Sequence, residues 1–194
     1  MADLSAVCVY CGSRDQVDQA YRDAAGDLGR RLAENAVALV YGGGRVGLMG
    51  RCADAALSAG GQVIGIIPEA LMKIEVDHRD LTELIVTPDM HSRKRCMFDR
   101  ADAFVLLPGG LGSLDEIIEV ITWRQLGFHD KPIILVNVAG YWDPLLALIE
   151  HTITAGFANS AARGLYSVVT SIADVIPAIE AAPRQKITAD SKLL

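Results

Sequence analysis

Short runs of apolar, often β-branched residues alternate along the chain with longer segments in which apolar positions recur every three or four residues. The runs at 5–10 (SAVCVY), 37–41 (VALVY), 62–67 (QVIGII), 84–87 (LIVT), 103–107 (AFVLL), 132–137 (PIILVN) and 166–170 (YSVVT) predict strands. The segments near 17–34, 47–59, 89–101, 113–126, 142–155 and 171–182 predict helices. The strands are apolar throughout, so both faces of their sheet must be covered, which is the parallel case. Regular β–α alternation then predicts one doubly wound, Rossmann-like α/β domain, with a mostly parallel sheet of about seven strands and helices on both faces. The domain is expected to span 1–182, with 183–194 a flexible tail. Residues 68–83 form one long irregular stretch, too polar for core and placed where it could cover a site.

Composition narrows the function classes. Hydrophobic residues make up 51% of the 194, a globular proportion, and the net charge is −6. That balance argues against nucleic acid or a membrane surface as partner, since both call for clustered Lys and Arg. No apolar stretch is long enough for a membrane span, and the N-terminus lacks the basic and apolar regions of a secretory signal. Four cysteines in a domain of this size do not suggest a disulfide framework, so a cytoplasmic protein is expected. Cys8 and Cys11 spell C-x-x-C, but within and at the end of a strand, where positions three apart face opposite ways. They read as packing residues and not as a redox pair. The four histidines lack ligand spacing, and no metal is expected.

In a doubly wound sheet, ligands bind outside the carboxyl ends of the strands. Three of those ends carry small residues: Cys11-Gly12-Ser13, Gly42-Gly43-Gly44-Arg45-Val46-Gly47 and Pro108-Gly109-Gly110-Leu111-Gly112-Ser113. Glycines let backbone approach a ligand, and a following helix N-terminus offers free N–H groups and partial positive charge to a phosphate. Two such turns, each between strand and helix, point to an anion site, with simple tight turns as the plainer reading. The second turn also reads G-x-G-x-x-G, and Glu69 follows at about the spacing of a ribose-binding acid, so a dinucleotide oxidoreductase is a rival. The fingerprint, however, belongs on the first βα unit, and the rival leaves the third turn without a role.

On a helical wheel from Leu114 to Leu126, the residues Leu114, Ile117, Ile118, Val120 and Ile121 form the predicted buried face. Glu116 shares the opposite face with Glu119 and Trp123, while Asp115 and Thr122 align along one edge. Two readings of the adjacent carboxylates stand side by side. Ser113-x-x-Glu116 is a capping box. Alternatively, a carboxylate beside an anion-binding turn can stabilise the cationic ribose that forms when a glycosidic bond breaks. On the preceding helix, Met90, Met97, Phe98 and Ala101 make an apolar stripe, with Lys94 inside it and Arg93 at its margin. Such cations usually snorkel past their apolar neighbours, but cations directed toward a core need an anionic partner. A phosphate or the Asp115/Glu116 pair would serve, with Arg93 as a bidentate clamp.

Taken together, these motifs resemble the LOG (Lonely Guy) family of cytokinin riboside 5′-monophosphate phosphoribohydrolases. The resemblance runs through C-G-S at 11–13, Y-G-G-G-x-x-G-L-M-G at 41–50, D-M-H-x-R-K at 89–94 and P-G-G-x-G-S-x-x-E at 108–116. It continues through E-V-I-T-W-x-Q-L-G-x-H-D-K-P at 119–132. It implies hydrolysis of an N6-modified adenosine 5′-monophosphate to free base and ribose 5-phosphate, without a cofactor, by a homodimer. Arg93 and Glu116 match the family's catalytic residues. Lys94, the loop Gly110, Leu111, Gly112, Ser113, Leu114 and Asp115, and Thr122 match its nucleotide-binding positions, and Glu75 matches a substrate-contacting glutamate. With the turn residues Gly12, Ser13, Gly43, Gly44 and Gly109, these make the candidate site. Two departures are Ser113 for the usual threonine and Asp115 for the usual first glutamate. The alternatives are a non-catalytic nucleotide or cofactor carrier and the oxidoreductase. Some relatives were once called lysine decarboxylases, but nothing marks a lysine for a pyridoxal Schiff base.

Overall fold

A computed structural model describes residues 4–72 and 80–183. Its strands are β1 (Ala6–Tyr10), β2 (Ala38–Tyr41), β3 (Val63–Pro68), β4 (Glu83–Thr87), β5 (Ala103–Leu106), β6 (Ile133–Val136) and β7 (Ser167–Val169). Its α-helices are α1 (Gln19–Glu34), α2 (Gly47–Ser58), α3 (Glu69–Met72), α4 (Met90–Asp99), α5 (Leu111–Gln125), α6 (Asp143–Thr154) and α7 (Val175–Ala181). All seven strands pair in parallel in the order β4-β3-β2-β1-β5-β6-β7. The chain therefore builds outward from β1 in one direction as far as β4, then returns to lay β5 on the other side of β1. That reversal creates a crevice at the carboxyl ends of β1 and β5.

Alternate residues of the central strands feed two separate cores. Val7, Val9, Leu39, Tyr41, Val105 and Leu107 meet α1, α2 and α7 on one face. Cys8, Tyr10, Val40, Phe104 and Leu106 meet α4, α5 and α6 on the other. Cys8 and Cys11 fall in different cores, on opposite faces as their spacing predicts. All four cysteines are free. Local chemistry sets the helix starts: the Asp18 carboxylate accepts the Ala20 N–H at 2.8 Å ahead of α1, and Asp89 accepts the Ser92 N–H at 2.7 Å ahead of α4. Gly29 lets α1 press onto α2, since a Cβ there would overlap the Cys52 carbonyl.

Two helices differ from their wheels. On α5, Ile117, Val120 and Ile121 are buried as predicted, but Ile118 is 41% exposed and Glu116 turns inward. On α4, Arg93 and Met97 are the buried residues, whereas Met90 is 40% exposed. Most of each apolar stripe still faces the sheet, and one charged residue beside it on each helix, Glu116 or Arg93, reaches the crevice. The irregular stretch opens with the short α3, and its residues 73–79, with Glu75, lie outside the described residues, as does the tail beyond Pro183. No described helix is long and apolar enough to cross a membrane.

Candidate active site

A cavity of about 390 Å³ occupies the crevice, within the span of about 300–1,000 Å³ usual for small-molecule pockets. The first and third glycine turns form its walls, α2 contributes Leu48 and Met49, and Arg93, Glu116 and Tyr141 reach in from three other elements.

The three turns are locked together, with unequal roles. Gly12 donates its N–H to the Pro108 carbonyl at 3.0 Å, and its own carbonyl accepts the N–H groups of Leu48 at 3.0 Å and Met49 at 3.3 Å. The first-turn amides of α2 are thus engaged with the first turn of the chain. This answers the dinucleotide rival, whose pyrophosphate would need those amides. Gly43, at φ 77°, packs beneath β3 against Ile66 and Ile67, and neither Gly43 nor Gly44 lines the cavity. What the second turn presents instead is the Gly42 carbonyl, which receives Arg93.

The third turn is the open one. α5 begins at Leu111 with Gly110 as its N-cap, and no side chain caps it. A Cβ at Gly110 or Gly112 would meet nothing within 4 Å. A 15-residue helix thus directs its first amides and dipole to the open space of the cavity, the arrangement that favours phosphate. The capping-box reading is corrected by this boundary: Ser113 lies inside the first turn, buried against Gly109, and is not the cap.

Arg93 is 7% exposed and held at both ends of its guanidinium. Nε donates to the Ile66 carbonyl at 3.0 Å and Nη2 to the Gly42 carbonyl at 3.2 Å, leaving Nη1 at 3.6 Å from Glu116 Oε1. That last separation is an ion pair without a hydrogen bond. Burial accordingly outweighs the attraction of Arg93, and the Glu116 carboxyl is pushed up to about 7, with Asp115 and Glu119 adding repulsion. Two separate helices therefore deliver one fixed cation and one proton-exchanging carboxyl to the same cavity.

Other candidates lie elsewhere. Lys94 bonds Asp115 and Glu119 at 3.2 Å each, outside the cavity. Burial opposes its charge, but these two hydrogen bonds prevail and raise its pKa. Thr122 is exposed and donates to the Ile118 carbonyl one turn back at 2.8 Å, and Leu114 packs against the core. Gly12, Ser13, Gly109, Gly110, Leu111, Gly112 and Ser113 all line the cavity. So do Val17, Tyr21 and Tyr141, which sequence reasoning passed over. Tyr141 follows the carboxyl end of β6, so the rule that ligands sit beyond strand ends pointed to its neighbourhood. Cys11 also lines the cavity, but burial drives its thiol well up, which makes it a packing residue.

A family model described as possible lysine decarboxylase matches residues 49–179. A cytokinin riboside 5′-monophosphate phosphoribohydrolase of Rhodococcoides fascians is 47% identical over 89% of this chain and 88% of its own. One of Arabidopsis thaliana is 42% identical over 96% of this chain and 88% of its own. A probable one of Oryza sativa subsp. japonica is 44% identical over 90% of this chain and 71% of its own. Among solved structures, the molybdenum cofactor binding protein of Rippkaea orientalis superposes with a TM-score of 0.70 at 22% identity, covering 93% of this chain and 98% of that one, a likeness of fold alone. With the glycine-lined crevice and its Arg93–Glu116 pair in place, and with this identity running through nearly its whole length, the chain belongs to the LOG family of cytokinin riboside 5′-monophosphate phosphoribohydrolases.

Proposed function

We propose that this protein hydrolyses the N-glycosidic bond of an N6-modified adenosine 5′-monophosphate, releasing the free base and ribose 5-phosphate. The observation that carries the reading is the Arg93–Glu116 pair, 3.6 Å apart, beside the uncapped N-terminus of α5. The phosphate sits on the amides of the third turn. Glu116, ionised, faces the positive charge that develops on the ribose ring as the C1′–N bond breaks and its electron pair leaves with the base. Water adds its hydroxyl to C1′, and its proton passes through Glu116 to the departing base. A carboxyl titrating near neutrality suits both halves of that transfer. Arg93, immobilised by two carbonyls, holds Glu116 and the sugar without having to reorganise.

No lysine lines the cavity among the described residues, so the decarboxylase description finds no Schiff-base group there. The partner is a small nucleoside monophosphate, and the −6 charge does not favour nucleic acid. We assign a homodimer joined through the outer face of α4 and α5, the two helices that carry the Lys94–Asp115 pair and the exposed Met90 and Ile118, with exposed Leu126 at the C-terminal cap of α5. Thr122, on the same face, would then meet the partner. Four free cysteines accord with a cytoplasmic setting. Incubation with AMP and N6-isopentenyl-AMP, with free base followed by chromatography, tests the activity. Nucleotide binding without release of base from either would overturn it in favour of a carrier.

A further inference from the structure

After β6 the chain winds tightly into α6. Ala139 has φ 49° and Gly140 φ 75°, both left-handed, which alanine adopts only at a cost. Asn137 holds the turn: its Nδ2 donates to Asp143 Oδ1, its Oδ1 accepts the Trp142 N–H and its own N–H donates to the Val169 carbonyl, each at 2.7 Å. The winding places Tyr141 over the cavity. Its ring meets Tyr21 of α1 edge-on at 5.2 Å, and its hydroxyl donates to the Gly109 carbonyl at 2.6 Å. A side chain from the loop after β6 thus grips the turn after β5.

That turn needs gripping. Residues 109, 110 and 112 have no side chains, and Gly110 and Gly112 have no neighbours that a Cβ would touch. Glycine backbone left to itself samples many conformations, and a donor array that its ligand must order binds weakly. A trans peptide is planar, with C=O and N–H pointing in opposite directions. The Gly12 N–H on the Pro108 carbonyl therefore orients the Gly109 amide, and the Tyr141 hydroxyl on the Gly109 carbonyl orients the Gly110 amide. Two successive peptide planes are set by partners from two other loops.

We infer that Tyr141 is a positioning residue for the phosphate seat: through the Gly109 carbonyl it holds the Gly110 peptide in the orientation that receives a phosphoryl oxygen, without touching the reacting atoms. The inference rests on reading the α5 N-terminus as that seat. Tyr141→Phe keeps the ring and its contact with Tyr21 but removes the hydroxyl. Losing one such hydrogen bond is expected to raise KM for the nucleotide by about fivefold with kcat little changed. Calorimetric titration with ribose 5-phosphate is expected to weaken by the same factor, while affinity for the free base stays at the wild-type value and the melting temperature falls by no more than about 2–4 °C. If wild-type protein binds ribose 5-phosphate no better than ribose, the seat itself has been misread. If it does bind better and Tyr141→Phe binds ribose 5-phosphate equally well, or loses base and sugar phosphate alike, the inference about Tyr141 is overturned.

Discussion

Replacing Glu116 by glutamine is expected to abolish base release and at the same time to stabilise the protein above neutral pH. Burial lifts this carboxyl from its ordinary 4.5 to about 7, so the folded chain holds the proton more tightly than the unfolded one. Between those values the unfolded state is ionised and the folded state protonated, so the folded state binds more protons and stability falls as pH rises. Above pH 7 the full difference, about 2.5 units at 1.36 kcal/mol each, makes ionised Glu116 cost on the order of 3 kcal/mol. Its side chain is only 11% exposed, so little of this is lost to solvent screening. Glutamine has the shape of the protonated acid and never ionises. Thermal unfolding of both proteins from about pH 4 to about pH 8.5 is the assay, and the difference between the two curves cancels every other titrating group. The glutamine variant's advantage is expected to grow by roughly 6–12 °C in Tm across that range for a chain of this size. A difference between the two proteins that stays constant with pH would refute the claim that Glu116 is held near neutrality by burial.

The same shift places the acid limb of kcat/KM near pH 7; a limb at the ordinary carboxylate value would show that another group controls the rate. Gly42→Ala puts a Cβ onto Arg93 Nη2, and is expected to lower kcat by about a hundredfold in steady-state assays by dislodging a guanidinium that the substitution itself does not replace. Gly109→Ala drives a Cβ into the Ser113 side chain and crowds the Gly12 nitrogen at 3.1 Å; a loss of about 1–3 kcal/mol in denaturant unfolding and a raised nucleotide KM are expected. Lys94→Met leaves the cavity intact, so wild-type kcat for whatever oligomer persists is expected, with any change showing in light-scattering mass.

The five inner strands were legible in the sequence because a strand buried on both faces must be apolar at nearly every position; the edge strands β4 and β7, only partly buried, were read from their β-branched runs, and each observed strand lies within a residue or so of its run. The glycine turns were legible because backbone approach and uncapped amides demand residues without side chains. Arg93 was legible because its wheel directs a cation toward the core side, where it needs an anionic partner; Glu116 was legible only from its place beside an anion-binding turn and from the family motif, since its wheel set it opposite the buried face. The start of α5 was misplaced because Ser113-x-x-Glu116 satisfies the capping pattern equally well whether or not the helix has already begun at Leu111.

The chain's own pattern thus determined which segments become strands and helices and which turns lack side chains, since those follow from local burial and local sterics. Only the tertiary structure decided which turns share a cavity, because that depends on the strand order. The reversal after β4 makes β1 and β5 neighbours, so the first and third turns face each other and the second is left behind them to hold Arg93. The same packing brought Tyr141 to Gly109, 32 residues away in the chain, a contact for which no spacing rule exists.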